Sequence, residues 1–338
     1  MVKRFLLQLA LIISGFTGNA QLVMDQGSIA RNILEELGSW DVDLLAKGGR
    51  IDAIRALNDS VAVCGARGEN RGRLFISYDR GLTWKFLAQP TGSEITCIAE
   101  TGNIDRFYIL TGASEVFATV DRGKSWKKRA KLTVNKNRDG ATASYSIMVT
   151  NKGTLLATDT DTDGGHVFRS TDNGFTWKDL GAIGKNALYR LEKSKDGVIV
   201  NEFGGAVYKS VDDGLTWKES GKLSASALFA TESLDGSILL QADQAGNIYR
   251  SENAGESWER TAYLKGSADD FISLMGPVCY YSTYTESREI YVTLDQGHNW
   301  HSIGAVPTGA EGDWLDHGVS MDAGDSIVVL AGSGKGFI

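Results

Sequence analysis

The chain has 338 residues and carries 42 acidic against 35 basic side chains, which gives a formal net charge of −7. An excess of negative charge repels phosphate groups, so this balance argues against nucleic acid or an anionic membrane as the main partner. Glycine is abundant, with 40 copies, and proline is rare, with three, which is typical of a chain that has many tight turns.

The first twenty residues predict a cleavable export signal. Two basic residues precede an apolar run over residues 5–16, and Gly18–Ala20 has the small side chains of a cleavage site. The run is too short and wrongly flanked for a stable membrane span, so we expect no transmembrane segment. The signal, residues 1–20, is therefore predicted to be removed after Ala20, which leaves a secreted or periplasmic protein.

A short helix is predicted from Ser28 to Leu37, within an N-terminal segment that covers residues 21–38. Ser28 would act as the N-cap by accepting hydrogen bonds from free backbone amides, and Gly38 would end the helix. The remaining residues, 39–338, are then expected to form a single domain.

One eight-residue pattern, Ser/Thr-x-Asp/Asn-x-Gly-x-Ser/Thr/Asn-Trp, occurs six times and is here called the octapeptide turn. Its copies are residues 77–84, 119–126, 170–177, 210–217, 251–258 and 293–300. Their tryptophans follow one another at intervals of 40 to 51 residues. A period near forty with one hairpin signature in each unit predicts an all-β protein, a β-propeller whose four-stranded antiparallel sheets, or blades, form a ring.

Each part of the octapeptide turn has a structural role. A short Asp or Asn side chain accepts hydrogen bonds from backbone amides just ahead of it and closes the turn. The Gly supplies a positive φ, and the Trp opens the next strand, where its ring can pack between neighbouring blades. We therefore interpret the acidic members as turn residues rather than catalytic acids: Asp79, Asp121, Asp172, Asp212 and Asp295.

The octapeptide turn resembles the Asp-box, or BNR, repeat of the sialidase-like superfamily of β-propellers, and the resemblance covers residues 77–300. In that superfamily the boxes lie away from the ligand-binding face and occur in enzymes and in non-enzymes. The resemblance therefore implies a fold, and a ligand face opposite the turns, but it leaves the activity open.

We expect seven blades. Trp40 precedes Trp84 by 44 residues, which is one further period, and the final residues 336–338 resemble the start of a third strand. The segment after Trp40 would then supply the outer strand of the last blade and close the ring. Such closure hides two sheet edges that would otherwise be exposed.

The exported, single-domain layout is similar to that of propellers related to the photosystem II stability/assembly factor, which bind protein partners and are not enzymes. That similarity favours a non-catalytic binding or assembly module, expected to be a monomer, with a protein or glycan partner on the face opposite the octapeptide turns. The residues predicted for this surface lie in links between blades and in loops between second and third strands: Arg67, Glu69, Arg71, Arg73, Arg138, Glu286, Arg288 and Trp314. The alternative for the charged cluster of Arg67, Glu69, Arg71 and Arg73 is a solvated loop that binds no ligand. The alternative for Trp314 is an anchor that packs its loop on the rim of the propeller.

The alternative function is that of a sialidase-like exo-glycoside hydrolase. Sialidases hold a carboxylate with three arginines and use a Tyr–Glu pair as the nucleophile, with an Asp as acid/base. Arg50 lies in a stretch similar to their first arginine motif, and Tyr281 falls near the position of the nucleophilic Tyr. However, Asp52 stands where these enzymes have Pro, and no Arg stands near Phe203, where a second triad arginine is expected. These departures favour the non-catalytic interpretation.

A calcium site and a set of buried thiols are the remaining predictions. Asp159, Asp161 and Asp163 precede Gly164 in a pattern that matches the first half of a calcium loop, but Ser170 stands where a bidentate Glu is expected. Calcium is the one cofactor that the sequence suggests, and a solvated acidic loop is the alternative. The three cysteines have neither metal-ligand nor disulfide spacing and are predicted to be buried structural thiols.

Overall fold

The computed structural model describes most of the chain from residue 49 onwards. The described ranges are 49–58, 60–68, 71–79, 81, 83–132, 144–161, 163–266, 268–273, 279–283, 289–305, 320–324 and 327–331. Within them every regular element is a β-strand, and no helix is long and apolar enough to cross a membrane. The predicted export signal, the predicted helix and Trp40 lie outside these ranges.

The first three blades are four-stranded antiparallel sheets whose strands are hydrogen-bonded in chain order. Their strands are β1 (Gly49–Ala56), β2 (Ala62–Gly68), β3 (Leu74–Ser77) and β4 (Lys85–Ala88) in blade one; β5 (Ile95–Glu100), β6 (Phe107–Thr111), β7 (Glu115–Thr119) and β8 (Lys127–Lys131) in blade two; and β9 (Ile147–Val149), β10 (Leu155–Asp161), β11 (Gly164–Ser170) and β12 (Lys178–Gly184) in blade three. In blade two, β6 is buried along its whole length whereas β8 is largely exposed, because only the inner strands are covered on both sides by neighbouring blades.

The next three blades repeat this arrangement. Their strands are β13 (Leu188–Ser194), β14 (Gly197–Glu202), β15 (Ala206–Ser210) and β16 (Lys218–Lys222) in blade four; β17 (Leu228–Ser233), β18 (Leu239–Asp243), β19 (Asn247–Ser251) and β20 (Glu259–Tyr263) in blade five; and β21 (Ala268–Ser273), β22 (Cys279–Thr283), β23 (Glu289–Thr293) and β24 (His301–Ala305) in blade six. Two final strands, β25 (Ser320–Gly324) and β26 (Ile327–Ala331), pair only with each other among the described residues.

The prediction of seven four-stranded blades is wrong, because the described residues form six. The first strands contact one another in order from β1 to β21, and β25 contacts both β21 and β1, so a two-stranded sheet lies between blade six and blade one. The physical reason is the distribution of the octapeptide turn, which joins the third and fourth strands of each blade. Six copies build six such hairpins, whereas β25 and β26 follow the last copy and have none. The strand predicted after Trp40 lies outside the described residues.

The octapeptide turn of blade three has the predicted hydrogen bonds. The hydroxyl of Ser170 donates to Asp172 Oδ1 at 2.8 Å and accepts from the amide of Gly174 at 3.0 Å. The amide and hydroxyl of Thr176 donate to Asp172 at 2.8 and 2.6 Å, and Trp177 Nε1 donates to the carbonyl of Gly174 at 3.0 Å. The hydrogen bonds from Thr176 lower the pKa of Asp172 to about 2, so this carboxylate is held in its charged form by the turn.

The other five copies close in the same way, with Asn253 taking the acceptor role in blade five. The prediction that the acidic residues serve the turn is therefore confirmed. The glycine has a positive φ in every copy, such as 81° at Gly174, and the residue before it is also left-handed in five copies, such as Asn173 at 59°. The sequence pattern did not predict this second left-handed residue.

The tryptophan rings and the cysteines also lie where they were predicted. Trp126 packs against a cluster that combines side chains of blades one and two, and its ring meets Phe107 edge-on at 5.3 Å. Equivalent tryptophans pack between blades two and three and between blades three and four. Cys64, Cys97 and Cys279 are free and buried, so the prediction of structural thiols is confirmed.

Candidate functional site

The antiparallel blades have two distinct ends. The turn face carries the octapeptide turns and the hairpins between first and second strands. The loop face carries the links between blades and the loops between second and third strands. Described links include residues 89–94, 185–187 and 223–227, and described loops include residues 112–114, 203–205 and 244–246. Because the turns are nearly identical while links and loops differ, the loop face is where this chain can present a specific surface.

Four aromatic side chains form an arc at the loop-face end of blades three to five, here called the aromatic arc. The rings of Tyr145 and Tyr189 stack with centroids 4.6 Å apart, and Tyr189 meets Phe229 edge-on at 5.0 Å. Phe203, in the loop between β14 and β15, meets Phe229 edge-on at 5.7 Å and is 48% exposed. The other three rings are half-buried, so the arc is a continuous aromatic surface that is most exposed at Phe203.

Two β-bulges explain the position of the arc residues Tyr189 and Phe229. Leu188 and Leu228 begin β13 and β17 and are fully buried in the core. The pairing with the second strand shifts its register directly after each leucine, so Tyr189 and Phe229 lie in β-bulges, which turn their side chains out of the regular alternation. In blade two the residue after the buried Ile95 is a threonine, so the aromatic arc does not continue from blade three into blade two.

A buried carboxylate in blade five fixes the link that leads to Phe229. Asp243 is 0% exposed at the end of β18, and its Oδ2 accepts a hydrogen bond from the hydroxyl of Ser224 at 2.7 Å. The amide of Asn247 donates to Oδ1 at 2.9 Å, and its side-chain amide donates to Oδ2 at 2.9 Å. Ser224 belongs to the link 223–227, so Asp243 ties this link and the following loop to the blade.

Blades four and three use buried carboxylates in the same place. Glu202, at the end of β14, accepts a hydrogen bond from the amide of Asn186 at 2.9 Å, which fixes the link before Tyr189. Asp159, near the end of β10, accepts from the hydroxyls of Ser114 and Ser144 at 3.1 Å each, and Ser144 directly precedes Tyr145. Each of the three blades that carry the arc therefore anchors its link on an acidic residue.

Below the arc, a chain of buried polar side chains joins blades four and five. Asn201 accepts a hydrogen bond from the amide of Arg190 at 2.6 Å, and its side-chain amide donates to Gln241 at 3.2 Å. Gln241 in turn donates to the hydroxyl of Thr231 at 2.6 Å, and both amide side chains are 0% exposed. A fully paired buried network fixes the relative position of the two blades that present Tyr189 and Phe229.

The first strands enclose a cavity of about 130 Å³ with balanced charge. Its charged lining residues are Arg55, Glu100, Arg190, Glu192, Lys193 and Glu232. Lys193 Nζ lies 3.6 Å from Glu100 Oε1. Burial raises the pKa of Glu192, and the nearby cations oppose that shift. With three cations and three carboxylates, the described lining of this cavity is electrically balanced.

Of the predicted recognition residues, the structure describes the side chains of two. Arg71 and Arg73 are exposed on and beside the loop between β2 and β3, on the loop face where they were expected. Arg67 lies on β2 and pairs in register with Arg50 of β1. The others lie outside the described residues: Glu69, Arg138, Glu286, Arg288 and Trp314. Their recognition role stays a prediction.

The two residues considered for sialidase chemistry lie in different parts of the ring. Tyr281, on β22 of blade six, is 0% exposed, and its ring centroid lies 6.0 Å from that of Trp300 and 6.2 Å from that of Tyr291. Arg50 lies on β1 of blade one, and the two-stranded sheet separates blade one from blade six. A tyrosine ring enclosed in this way cannot meet a saccharide, so the arrangement does not favour a nucleophilic role.

Of the acidic triplet predicted for calcium, Asp159 and Asp161 lie on β10 and Asp163 lies in the turn between β10 and β11. The pairing of β10 with β11 continues to Asp161, opposite Gly164, so Asp159 is buried within the blade. Asp163 is engaged by His166 Nε2 at 2.9 Å. Among the described residues, no group of three or more His, Cys, Asp or Glu side chains is arranged to hold a metal ion. The calcium site stays a prediction.

His166 lies between two carboxylates, and a pH-dependent stability follows from this arrangement. Its ring is 4% exposed, with Nδ1 2.9 Å from Asp179 and Nε2 2.9 Å from Asp163. Burial alone would lower the pKa of His166, but the hydrogen bonds to the two carboxylates raise it above its usual value of 6.5. Both ring nitrogens can donate only when the imidazole is protonated.

We expect His166→Asn to lower the free energy of unfolding by about 1–2 kcal/mol in mildly acidic solution. Because the folded-state pKa is raised, the stabilisation is fully present below the unfolded pKa and is lost as pH rises through the folded pKa. Urea unfolding of the wild type and the variant at a series of pH values from 6.5 upwards measures the difference in their free energies of unfolding. A difference that stays constant with pH would contradict the charged arrangement.

Comparisons with known proteins identify the class of fold. Neither the protein-family models nor the curated proteins give a match. The solved structure of YCF48 bound to a D1 peptide is similar, with a TM-score of 0.66, 14% identity, and coverage of 89% of this chain and 94% of that chain. YCF48 from Cyanidioschyzon merolae is similar with a TM-score of 0.62 at 12% identity over 89% of this chain and 97% of that chain.

A glycoside hydrolase is similar to the same degree. The GH74 xyloglucanase from Xanthomonas campestris matches with a TM-score of 0.66 and 15% identity, over 88% of this chain and 53% of that chain. At such low sequence identity these matches show similarity of fold and nothing about function. Together with the six four-stranded sheets, they define the chain as a β-propeller.

Proposed function

We propose that this chain is an exported, non-catalytic β-propeller of the Asp-box type that binds an extended segment of a protein partner on its loop face. The aromatic arc carries the proposal, because it joins the exposed ring of Phe203 to three half-buried rings. Large, rigid aromatic rings supply contact area at a low cost in conformational entropy, and they often dominate the binding energy of interfaces.

The rigidity of the surroundings supports a binding role. Asp159, Glu202 and Asp243 anchor the links that lead to the arc, and the buried network of Asn201 and Gln241 lies below it. A surface that is already ordered loses little entropy when a partner binds, so more of the contact energy appears as affinity. The peptide complex of the similar propeller YCF48 supports a peptide segment as the class of ligand.

A glycan is the second candidate ligand. The fold similarity to a xyloglucanase and the stacked pair of Tyr145 and Tyr189 favour it, because sugar rings also pack on aromatic faces. Hydrolysis has less support, since Tyr281 is buried and the described carboxylates around the arc are engaged in anchoring the links.

The proposal is tested by selecting ligands for the purified chain from a random peptide library and, in parallel, from a glycan array. We expect peptides with apolar anchor residues to be selected. Phe203→Ser should weaken the selected peptide about tenfold or more, because an exposed anchor ring commonly contributes about 1–3 kcal/mol. Fluorescence anisotropy with the labelled peptide measures the affinity.

Phe175→Ser is the matched control, because Phe175 is 64% exposed but belongs to an octapeptide turn on the opposite face. Its affinity for the peptide should equal that of the wild type. Selection of glycans but no peptides would replace the protein partner by a carbohydrate. Equal losses in the two variants would contradict binding at the arc.

A further inference from the structure

The octapeptide turns share their backbone hydrogen bonds, but the charges at their variable positions differ from blade to blade. In blade two, Lys124 in the turn and Lys127 at the start of β8 are both exposed. Arg122 of the same turn pairs with Asp105 in the neighbouring hairpin, which leaves two lysines beside one turn carboxylate, Asp121. The turn face is therefore positive at blade two.

Blade five carries the opposite charge at the same positions. Glu256 stands at the turn position of the first of those lysines, and Glu259, the first residue of β20, stands at the position of the second. Glu252 adds a third carboxylate within this turn. The buried Lys209 and Arg250 hold Glu256 and Glu252 from inside the ring. All three carboxylates are exposed, so the turn face is negative at blade five.

Between these two sectors, blades three and four present apolar side chains. Phe175, Val211 and Leu215 occupy variable positions of their turns and are 64%, 63% and 46% exposed. Arg129 of blade two packs against the Phe175 ring, with its guanidinium 4.0 Å from the ring centre, and so holds the ring without covering it. Exposed apolar side chains that are bordered by charged ones are typical of protein–protein interfaces.

The order of these sectors around the ring makes the turn face complementary to itself. The ring has seven positions, since the two-stranded sheet lies between blade six and blade one. When two such rings meet face to face about a two-fold axis that passes between blades three and four, blade three lies opposite blade four of the other copy. By the same rotation, blade two lies opposite blade five. Each contact then occurs twice, as in any interface that two copies form with the same surface.

We propose that two copies of this chain form a two-fold symmetric dimer through their turn faces, with the axis between blades three and four. Phe175 packs against Val211 and Leu215 of the second copy near the axis, and the lysines of blade two face the glutamates of blade five on either side. The matched charges select this orientation, because other rotations bring like charges together.

The dimer departs from the monomer predicted from the sequence. It places the aromatic arcs of the two copies on opposite, outward faces, so binding at the arc does not require the dimer and the dimer does not require binding at the arc. The inference is therefore independent of the function proposed above.

Sedimentation equilibrium of the purified chain at micromolar concentrations tests the dimer, and we expect twice the mass of one chain. The blade-two variant Lys124→Glu/Lys127→Glu and the blade-five variant Glu256→Gln/Glu259→Lys should each weaken the dimer about tenfold or more. Glutamine is used at position 256 because it can still accept the hydrogen bond from Lys209. An equimolar mixture of the two variants should form heterodimers more tightly than either variant forms homodimers, since the mixture retains one unaltered contact between blade five and blade two.

The matched control is Lys131→Glu/Lys222→Glu, which reverses two exposed lysines at the loop-face ends of β8 and β16 and should dimerise like the wild type. Circular dichroism checks that the variants keep the fold, as expected for exposed positions. A monomeric wild type, or a dimer that neither charge variant weakens, would overturn the proposal. So would a mixture that associates as weakly as its two components, because the charges would then not pair across the interface.

Discussion

Replacing Asp243 by alanine is expected to lower the free energy of unfolding by about 3 kcal/mol. The carboxylate is fully buried and accepts hydrogen bonds from the hydroxyl of Ser224 and from two nitrogens of Asn247. Alanine removes the acceptor of these three hydrogen bonds at a position that is fully buried. Urea unfolding followed by tryptophan fluorescence measures the change.

Asp235→Ala is the matched control within the same blade. Asp235 is exposed and accepts hydrogen bonds from the amides of Ser237 and Ile238 in the hairpin between β17 and β18. Because water can replace it there, we expect its removal to cost about 1 kcal/mol or less. Equal losses for the two variants would show that the anchoring of the link by Asp243 adds no stability.

The second large effect is expected for Arg250→Met, which should lower the free energy of unfolding by about 2–3 kcal/mol. Arg250 is 2% exposed on β19 of blade five, and its Nε donates to the carbonyl of Gln296 in the octapeptide turn of blade six at 2.8 Å. It also pairs with Glu252 and lowers the pKa of that carboxyl. Methionine fills the volume but leaves the half-buried Gln296 carbonyl without this charged donor.

Arg260→Met serves as the control, since Arg260 is exposed on the outer strand β20 and donates to Asn247 at 3.1 Å. We expect a change of about 0.5 kcal/mol or less. If Arg250→Met lowered the free energy of unfolding as little as Arg260→Met, the contact between blades five and six would not depend on this buried cation.

The octapeptide turns could be predicted from the sequence because their chemistry is local. Every bond of the turn in blade three joins residues no more than four positions apart, so the pattern contains all of its partners. The number of blades could not be predicted in this way, because it depends on strand pairing between distant segments. Fragments resembling repeat units at the two ends of the chain predicted a further four-stranded blade. Among the described residues β25 and β26 pair only with each other, so that prediction is wrong.

The aromatic arc was missed because its members are far apart in the sequence. Tyr189 and Phe229 look like ordinary strand residues when each is considered alone. A signal was present: both follow an Ala-Leu pair, at Ala187–Leu188 and Ala227–Leu228, and they lie 40 residues apart. Alignment of the repeat units would have placed two aromatic residues at equivalent positions, but it could not show which way their rings point.

Hydrogen–deuterium exchange of the purified chain, with and without the selected peptide, tests most directly whether the aromatic arc is the binding surface. We predict that the peptide slows exchange in the link 185–187, the loop 203–205 and the link 223–227, which surround the arc. The octapeptide turns on the opposite face should exchange at unchanged rates. Slowed exchange in the turns, with no change in these three segments, would contradict the account.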